Sequence, residues 1–376
     1  MAIKREYITK THPRTLLVGV DAPYNRTLDI NSYFSEFLNL VKSNRGTYDE
    51  VLYIKLRTID SGYFFSKGKL QEIKKVCEEL NIDEVIISEP LSVQQERNLN
   101  QMLHVRIFDR TRLILEIFEK SATTAEGKLQ VAIAMLQFDK SHLAGQGIYL
   151  SQQAGQIGAR GPGETLKERE TRHIETAILK LKKQLEKAHT TRHTQRKRRL
   201  ESKIPHFCLV GYTNAGKSTI LNALTKSNVL AEDKLFATLD TTTRELYIDS
   251  VKKGLISDTV GFIQQLPHQL IEAFKSTLSE LHYADVLLHV IDVSDPNWQE
   301  HMRVVHAILT DLEVDKPMLY IFNKVDKVVD PAALKPLIDQ YQPHVLIAAT
   351  AKATIEPLVE YLRLWSRPVQ ARLSEQ

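Results

Sequence analysis

The sequence predicts an α/β protein in three parts: a C-terminal doubly wound domain, an N-terminal α/β domain, and a coiled-coil-like helical hairpin between them. Residues 1–120 alternate apolar runs with helical stretches, the mark of a mainly parallel sheet covered by helices. Residues 121–200 contain two helical stretches around a glycine-rich connection and no strand-like run. From residue 204 onward the alternation of buried-strand runs and helices becomes regular.

In the first part, TLLVGV (15–20), VLYIKL (51–56), EVIISE (84–89) and VRIFD (105–109) read as strands. Between them, segments 32–43, 67–81 and 92–103 carry helical periodicity. No nucleotide fingerprint occurs there. In the middle part, segments 127–143 and 164–188 read as helices. Ile174, Ile178, Leu181, Leu185 and Ala188 step by four, three, four and three, a heptad-like seam. Six of the chain's 15 glycines fall within the connection 144–164, which predicts an antiparallel hairpin with a flexible tip. Segment 189–203 has no apolar stripe and reads as a polar linker, which puts a domain boundary near residue 200. In the last part, 205–210, 254–258, 286–292, 318–323 and 344–349 read as strands of a domain covering 201–376.

Composition excludes several classes. With 376 residues, 43% hydrophobic and 26% charged, the chain can bury two or three cores. It has no run of 18 uncharged apolar residues and no apolar stretch behind its basic N-terminus, so neither a membrane span nor a secretory signal is expected. The two cysteines, Cys77 and Cys208, sit apart in apolar segments and read as buried reduced thiols. These features point to the cytoplasm, and nothing suggests more than a monomer. The net charge of +4 is uneven, because segment 160–200 holds 13 Lys and Arg against 5 Glu. That local excess suits a polyanionic partner such as RNA, or simply a solvated helix face.

The chemistry lies in the C-terminal part. Residues 211–218 fit G-x-x-x-x-G-K-[ST] directly after a strand. Glycines there let backbone N–H groups turn toward a β-phosphate, and the next helix adds its positive end. Lys217 is placed to reach the β- and γ-phosphates and Ser218 to bind Mg²⁺. Asp258-Thr259-Val260-Gly261 follows a strand end, where the carboxylate holds Mg²⁺ through water and the glycine N–H senses the γ-phosphate. Asn323-Lys324-Val325-Asp326 supplies an aspartate that accepts from N1–H and the exocyclic amine of guanine, a donor pair adenine lacks. Thr350-Ala351-Lys352 occupies the place of a base-contacting loop. Together these elements imply a Mg²⁺-dependent P-loop GTPase domain binding GTP and GDP.

Between the first two elements, segment 236–244 holds four threonines, any of which could close over the metal and the γ-phosphate. Phe262 stands where Ras-type enzymes have the glutamine that orients the attacking water, so slow intrinsic turnover is expected, with a partner or a cation supplying the missing group. Asn214 resembles the asparagine of K⁺-stimulated translational GTPases. K⁺ as an activator and a simple loop-bracing role are both open.

The motifs G-Y-T-N-A-G-K-S-T, L-F-A-T-L-D-T-T-T-R, D-T-V-G-F-I, L-P-H-Q-L and R-G-P-G-E resemble those of the HflX family of bacterial GTPases. Y-F-F-S-K-G-K, L-S-V-Q-Q-E-R-N-L, D-R-T-R-L-I-L-E-I-F and E-G-K-L-Q-V extend the resemblance over roughly residues 50–366. It implies a GTPase that binds the large ribosomal subunit, rRNA and ribosomal proteins included. The hairpin would point toward the peptidyl-transferase region, and the activity would be splitting or rescue of stalled or inactive ribosomes. A role in ribosome assembly, with hydrolysis only resetting binding, and a switch acting on a protein partner are the alternatives.

By the same resemblance Thr238 becomes the Mg²⁺-binding threonine. The implied nucleotide contacts are then Gly211, Tyr212, Thr213, Asn214, Ala215, Gly216, Lys217, Ser218 and Thr219, followed by Phe236, Ala237, Thr238, Leu239 and Asp240. Asp258, Thr259, Val260, Gly261, Asn323, Lys324, Val325, Asp326, Thr350, Ala351 and Lys352 complete them. Lys217, Thr238 and Gly261 are assigned to the reaction, and Ser218, Thr238 and Asp258 to the metal. The chain departs from the family in reading Thr165-Leu166-Lys167-Glu168 where T-Q-L-E is usual. Only about ten residues follow Trp365, so the small C-terminal domain of many members is expected to be absent.

Overall fold

A computed structural model describes residues 13–25, 27–145, 166–201, 204–225, 235–236, 242–267, 270, 280–328 and 330–366. Two sheets organise them. The first contains β1 (Thr15–Asp21), β2 (Glu50–Lys55), β3 (Glu84–Ile87) and β4 (Arg106–Phe108), all parallel, in the order β2-β1-β3-β4. Helices α1 (Ile30–Arg45), α2 (Lys67–Leu80), α3 (Val93–Leu103) and α4 (Arg110–Ser121) connect and cover it. β1 and β3 are buried along nearly their whole length because strands with helices on both faces have no solvated side.

Helix starts follow local chemistry. Asp29 caps α1 by accepting from the Asn31 N–H at 3.0 Å. Ser92 and Gln95 form a reciprocal capping box on α3. Asp109 caps α4, accepting from the Arg112 N–H at 2.7 Å, and α4 follows a strand that ends one residue earlier. Burial pushes the Asp109 carboxyl up to about 6 against those backbone donors.

The middle of the chain is a pair of long helices, α5 (Ala125–Gly145) and α6 (Leu166–Glu201). Lys140, late in α5, pairs with Glu175, early in α6, at 2.8 Å, as an antiparallel hairpin requires. Ile178 of the heptad-like seam is buried, and Leu179, one step off it, is exposed. Segment 189–203, expected to be a linker, is instead helical through Glu201. Its Lys, Arg and Gln residues favour a helix, and no proline or glycine interrupts it before Pro205, so helix continues without an apolar stripe. The glycine-rich connection lies outside the described residues except at its start.

The second sheet runs β10-β9-β8-β5-β7-β6. Its strands are β5 (His206–Gly211), β6 (Thr242–Ile248), β7 (Val251–Asp258), β8 (Val286–Asp292), β9 (Met318–Asn323) and β10 (His344–Leu346). All pair in parallel except β6, an antiparallel edge strand on β7 that segment-by-segment apolarity does not reveal. Helix α7 (Lys217–Thr225) follows β5, and α8 (Glu280–Tyr283), α9 (Trp298–Asp311), α10 (Pro331–Ile338) and α11 (Glu356–Leu364) follow in turn. Both cysteines are buried free thiols.

One apolar cluster crosses from the first sheet's helices to the second sheet. It joins Leu113, Ile114, Ile117 and Phe118 of α4 to Leu235, Phe236, Phe262 and Ile263. Phe118 and Phe236 meet with ring centroids 4.5 Å apart. Burying aromatic and aliphatic side chains contributes roughly 1.5–3 kcal/mol each, so this contact fixes how the segment before β6 and the loop after β7 sit against α4.

Candidate functional site

β5 is the central strand of the second sheet, hydrogen-bonded to β7 and β8, and its carboxyl end delivers residues 211–217 into α7. The loop is tight. A Cβ on Gly211 would lie 2.3 Å from the Val290 carbonyl oxygen, and one on Gly216 would lie 2.3 Å from Asn323 Nδ2. Gly216 also has φ +99°, a conformation that side chains rarely adopt. The backbone can therefore wrap an anion only with glycine at these two positions. Asn214 takes a left-handed conformation at φ 59° without strain unusual for asparagine.

Lys217 is buried, and its ammonium donates to the carbonyls of Gly211 at 3.1 Å and Tyr212 at 2.8 Å. Burial pulls its pKa down to about 8, and Asp258 opposes that shift. Ser218, one residue on, donates from Oγ to Asp258 Oδ2 at 2.6 Å. A hydroxyl and a carboxylate at that separation present hard oxygen ligands to one point, the donor set that Mg²⁺ takes beside a phosphate chain. Thr259 anchors the end of β7 by donating to the Leu209 carbonyl at 2.7 Å, and Val260 is buried.

Gly261 and Phe262 lie directly on the phosphate loop. The Thr213 N–H donates to the Phe262 carbonyl at 2.7 Å, and the Phe262 N–H donates to the Gly211 carbonyl at 3.1 Å. A Cβ on Gly261 would come 2.9 Å from Thr213 Cα and 3.0 Å from Lys217 Nζ. The Phe262 ring is buried in the shared apolar cluster, so it presents no polar atom to a water.

On the base side, Asn323 is a fixed strut. Its Nδ2 donates to the Ala215 carbonyl at 2.8 Å, and its Oδ1 accepts from the Ala349 N–H at 3.0 Å, joining the phosphate loop to the loop after β10. Lys324 ion-pairs with Asp292 at 2.6 Å. Asp326 lies in the 3₁₀ turn Val325–Lys327 and is exposed, its carboxylate open to a base. Thr350 and Ala351 lie in the neighbouring loop, and Lys352 begins the 3₁₀ turn Lys352–Thr354.

Thr219 falls in the first turn of α7. Of the threonines in 236–244, Thr243 is already bonded in β6, its hydroxyl 2.8 Å from Ser257 Oγ. Ala237, Thr238, Leu239 and Asp240 lie outside the described residues. The Phe236 side chain is turned into the apolar cluster.

Residues outside the motifs also meet this site. His301 stacks on the Tyr212 ring at 3.8 Å and 8°, and the Gln264 N–H donates to the Tyr212 hydroxyl at 2.9 Å. That hydroxyl also donates to Glu36 of α1. Glu36 sits within an amphipathic helix, where a glutamate reads as an ordinary solvated charge, so no sequence signal sets it apart.

A glycine-wrapped anion cradle, a hydroxyl–carboxylate pair, and an exposed aspartate beside a strut define a guanine-nucleotide-binding P-loop protein. Comparison with known proteins supplies the family. The family model described as GTP-binding GTPase N-terminal matches residues 31–119, GTP-binding GTPase Middle Region matches 121–199, and 50S ribosome-binding GTPase matches 206–324. GTPase HflX of Caldanaerobacter subterraneus subsp. tengcongensis is 48% identical over 277 residues, covering 73% of this chain and 65% of that one. GTPase HflX of Lacrimispora saccharolytica is 41% identical over 350 residues, covering 93% and 82%. A crystal structure of the SsGBP and GDP complex shares the fold, with a TM-score of 0.50 and 24% identity over 93% of this chain and 97% of that one. The chain belongs to the HflX family of GTPases. GTP hydrolysis with Mg²⁺ is the chemistry of this class.

Proposed function

We propose that the GTP-bound protein docks on the large ribosomal subunit and splits or rescues stalled ribosomes, with hydrolysis resetting it. The observation that carries this reading is the α5–α6 hairpin, whose second helix belongs to the segment with 13 basic against 5 acidic residues. A long, strongly basic rod attached to a nucleotide switch suits rRNA, whose phosphates would draw it in with marked salt dependence. The match of residues 206–324 to the 50S ribosome-binding GTPase model supports the same partner. Three working parts, 1–120, 121–200 and 201–376, follow from this reading. The protein would act as a monomer in the cytoplasm. Among the described residues no helix is long and apolar enough to cross a membrane.

At the nucleotide site, Lys217 leaves the two carbonyls to bind the β- and γ-phosphates, and the Gly261 N–H turns toward the γ-phosphate. Thr238 closes from the other side. Ser218, Thr238 and Asp258 would hold Mg²⁺, which would supply positive charge to neutralise that developing on the phosphate oxygens. Asp326 reads guanine, flanked by Thr350, Ala351 and Lys352. With Phe262 buried, another group orients the water, supplied in this reading by the ribosome or by a K⁺ ion held at Asn214.

Replacing residues 144–164 with a short Gly-Ser linker tests the docking surface. GTP-dependent cosedimentation with large subunits is expected to disappear while GTP affinity stays within about twofold, since the tip is remote in sequence from every nucleotide contact. Retained cosedimentation would point instead to a switch acting on a protein.

A further inference from the structure

We propose that Glu36 and Arg110, both from the first sheet's helices, are positioning residues that bias the nucleotide site toward GDP by pinning the loop after Gly261 to the phosphate loop. The proposal rests on the reading of Lys217 and Gly261 as γ-phosphate contacts.

Glu36 uses both oxygens: Oε1 accepts from Arg110 Nη2 at 2.5 Å, and Oε2 accepts from the Tyr212 hydroxyl. Arg110 is wholly buried, lies over the Tyr33 ring at 5.4 Å, and also donates to the Gln264 carbonyl at 3.3 Å. The Gln264 N–H donates in turn to the Tyr212 hydroxyl. One phosphate-loop side chain and one residue of the loop after β7 are thus clamped together by an ion pair from another part of the chain. Burial alone would lower the Arg110 pKa, but Tyr33, Glu36 and Tyr212 outweigh it and hold the guanidinium charged. Burial, then Glu36, keeps the Tyr212 phenol protonated and so a donor. A second tie runs parallel, Gln265 Nε2 donating to Glu89 at 3.1 Å.

The clamp matters because of what it holds shut. Gly261 lies too near Thr213 for even a methyl group, and Lys217 is bonded to loop carbonyls. For a γ-phosphate to meet both Lys217 and the Gly261 N–H, segment 261–264 must separate from 211–213. That breaks the Thr213–Phe262 and Phe262–Gly211 bonds and strains the Tyr212–Gln264 link. Lys217 must leave its carbonyls for the β-phosphate of either nucleotide, but GDP has no γ-phosphate for the Gly261 N–H to meet and so asks for no separation of 261–264 from 211–213. The clamp therefore opposes GTP selectively, and by linkage GTP loosens the hold of the first sheet's helices on the site.

The test is the ratio of Kd for a non-hydrolysable GTP analogue to Kd for GDP, measured by fluorescent-nucleotide titration on the full chain. Glu36→Gln and Tyr212→Phe should each lower that ratio about tenfold, because each removes a hydrogen bond to a charged group. The double variant should lower it no further than either single one, since both act through one network. A residue with only a structural role would lower the melting temperature and weaken both nucleotides equally. Equal weakening, or additive effects in the double variant, overturns the proposal. Tyr212→Phe, which deletes one oxygen, decides the matter if Glu36→Gln does not fold. Lys217→Ala separates the two layers: if it spares the affinity for the GTP analogue, the γ-phosphate reading fails and the proposal with it. If it abolishes that affinity while Tyr212→Phe leaves the ratio unchanged, the clamp alone is wrong.

Discussion

Asp326→Asn is expected to lower the affinity for GTP by at least about 100-fold and to transfer it to xanthosine triphosphate. The carboxylate stands exposed on the 3₁₀ turn after β9, carried by Asn323, which is itself bonded on both sides. Hydrogen bonds to a charged group contribute roughly 1.5–3 kcal/mol each, and guanine offers two such donors to one aspartate. Losing both amounts to two orders of magnitude or more in Kd. Xanthine carries a carbonyl where guanine carries its amine, and an asparagine amide can donate to it. Calorimetric titration of both nucleotides checks the exchange. Unchanged GTP affinity would mean that the base lies elsewhere.

The second large effect is expected from Lys217→Ala, which should reduce single-turnover hydrolysis by about 10³-fold at saturating GTP and Mg²⁺, the scale seen when a preorganised charge is removed from a reacting centre. Lys217 is the buried cation of the cradle, held between Gly211 and Tyr212, and the Asp258 side chain favours its charged form. Arginine should not rescue it, because Nζ already lies only 3.0 Å from where a Cβ on Gly261 would stand, which leaves no room for a larger head group. Turnover within tenfold of the parent protein would remove Lys217 from the reaction.

The candidate nucleotide site could be assembled from sequence because its elements are short contiguous stretches. A strand, two glycines and a lysine at fixed spacing specify the cradle, and Asn323 and Asp326 sit within four residues. The Ser218–Asp258 pair follows from the same two motifs, 40 residues apart in sequence and 2.6 Å apart in space. Less local features were not legible. The four-residue capping pattern at Asp109 starts α4, yet the apolar run RLILEIF gives no distinct helical stripe, since α4 is buried between the first sheet and the loops beneath it. The extension of α6 to Glu201 rests on propensity alone, where amphipathic reasoning has nothing to grip. β6 is a half-exposed edge strand, so its pattern of burial is weak.

The Glu36–Arg110–Tyr212–Gln264 clamp is the clearest case of information that single-sequence reasoning lacks. Its members are separated by as many as 228 positions, from Glu36 to Gln264, and each has an ordinary local role: a helix glutamate, a helix-start arginine, a loop tyrosine. Only packing of α1 and α4 onto the phosphate loop gives them a common purpose. A buried ion pair of this kind contributes little to stability by itself but is strongly destabilising when one partner is removed, which suits a part that sets geometry.

The most direct test of the account is GTP hydrolysis by the purified chain, with and without large ribosomal subunits, in K⁺ and in Na⁺ buffer. The account predicts slow turnover alone, because Phe262 offers no group to orient water, and a rise of about 10²-fold or more when large subunits are added. Fast turnover by the isolated protein in Na⁺ buffer, or no stimulation by large subunits together with no GTP-dependent cosedimentation, would contradict it.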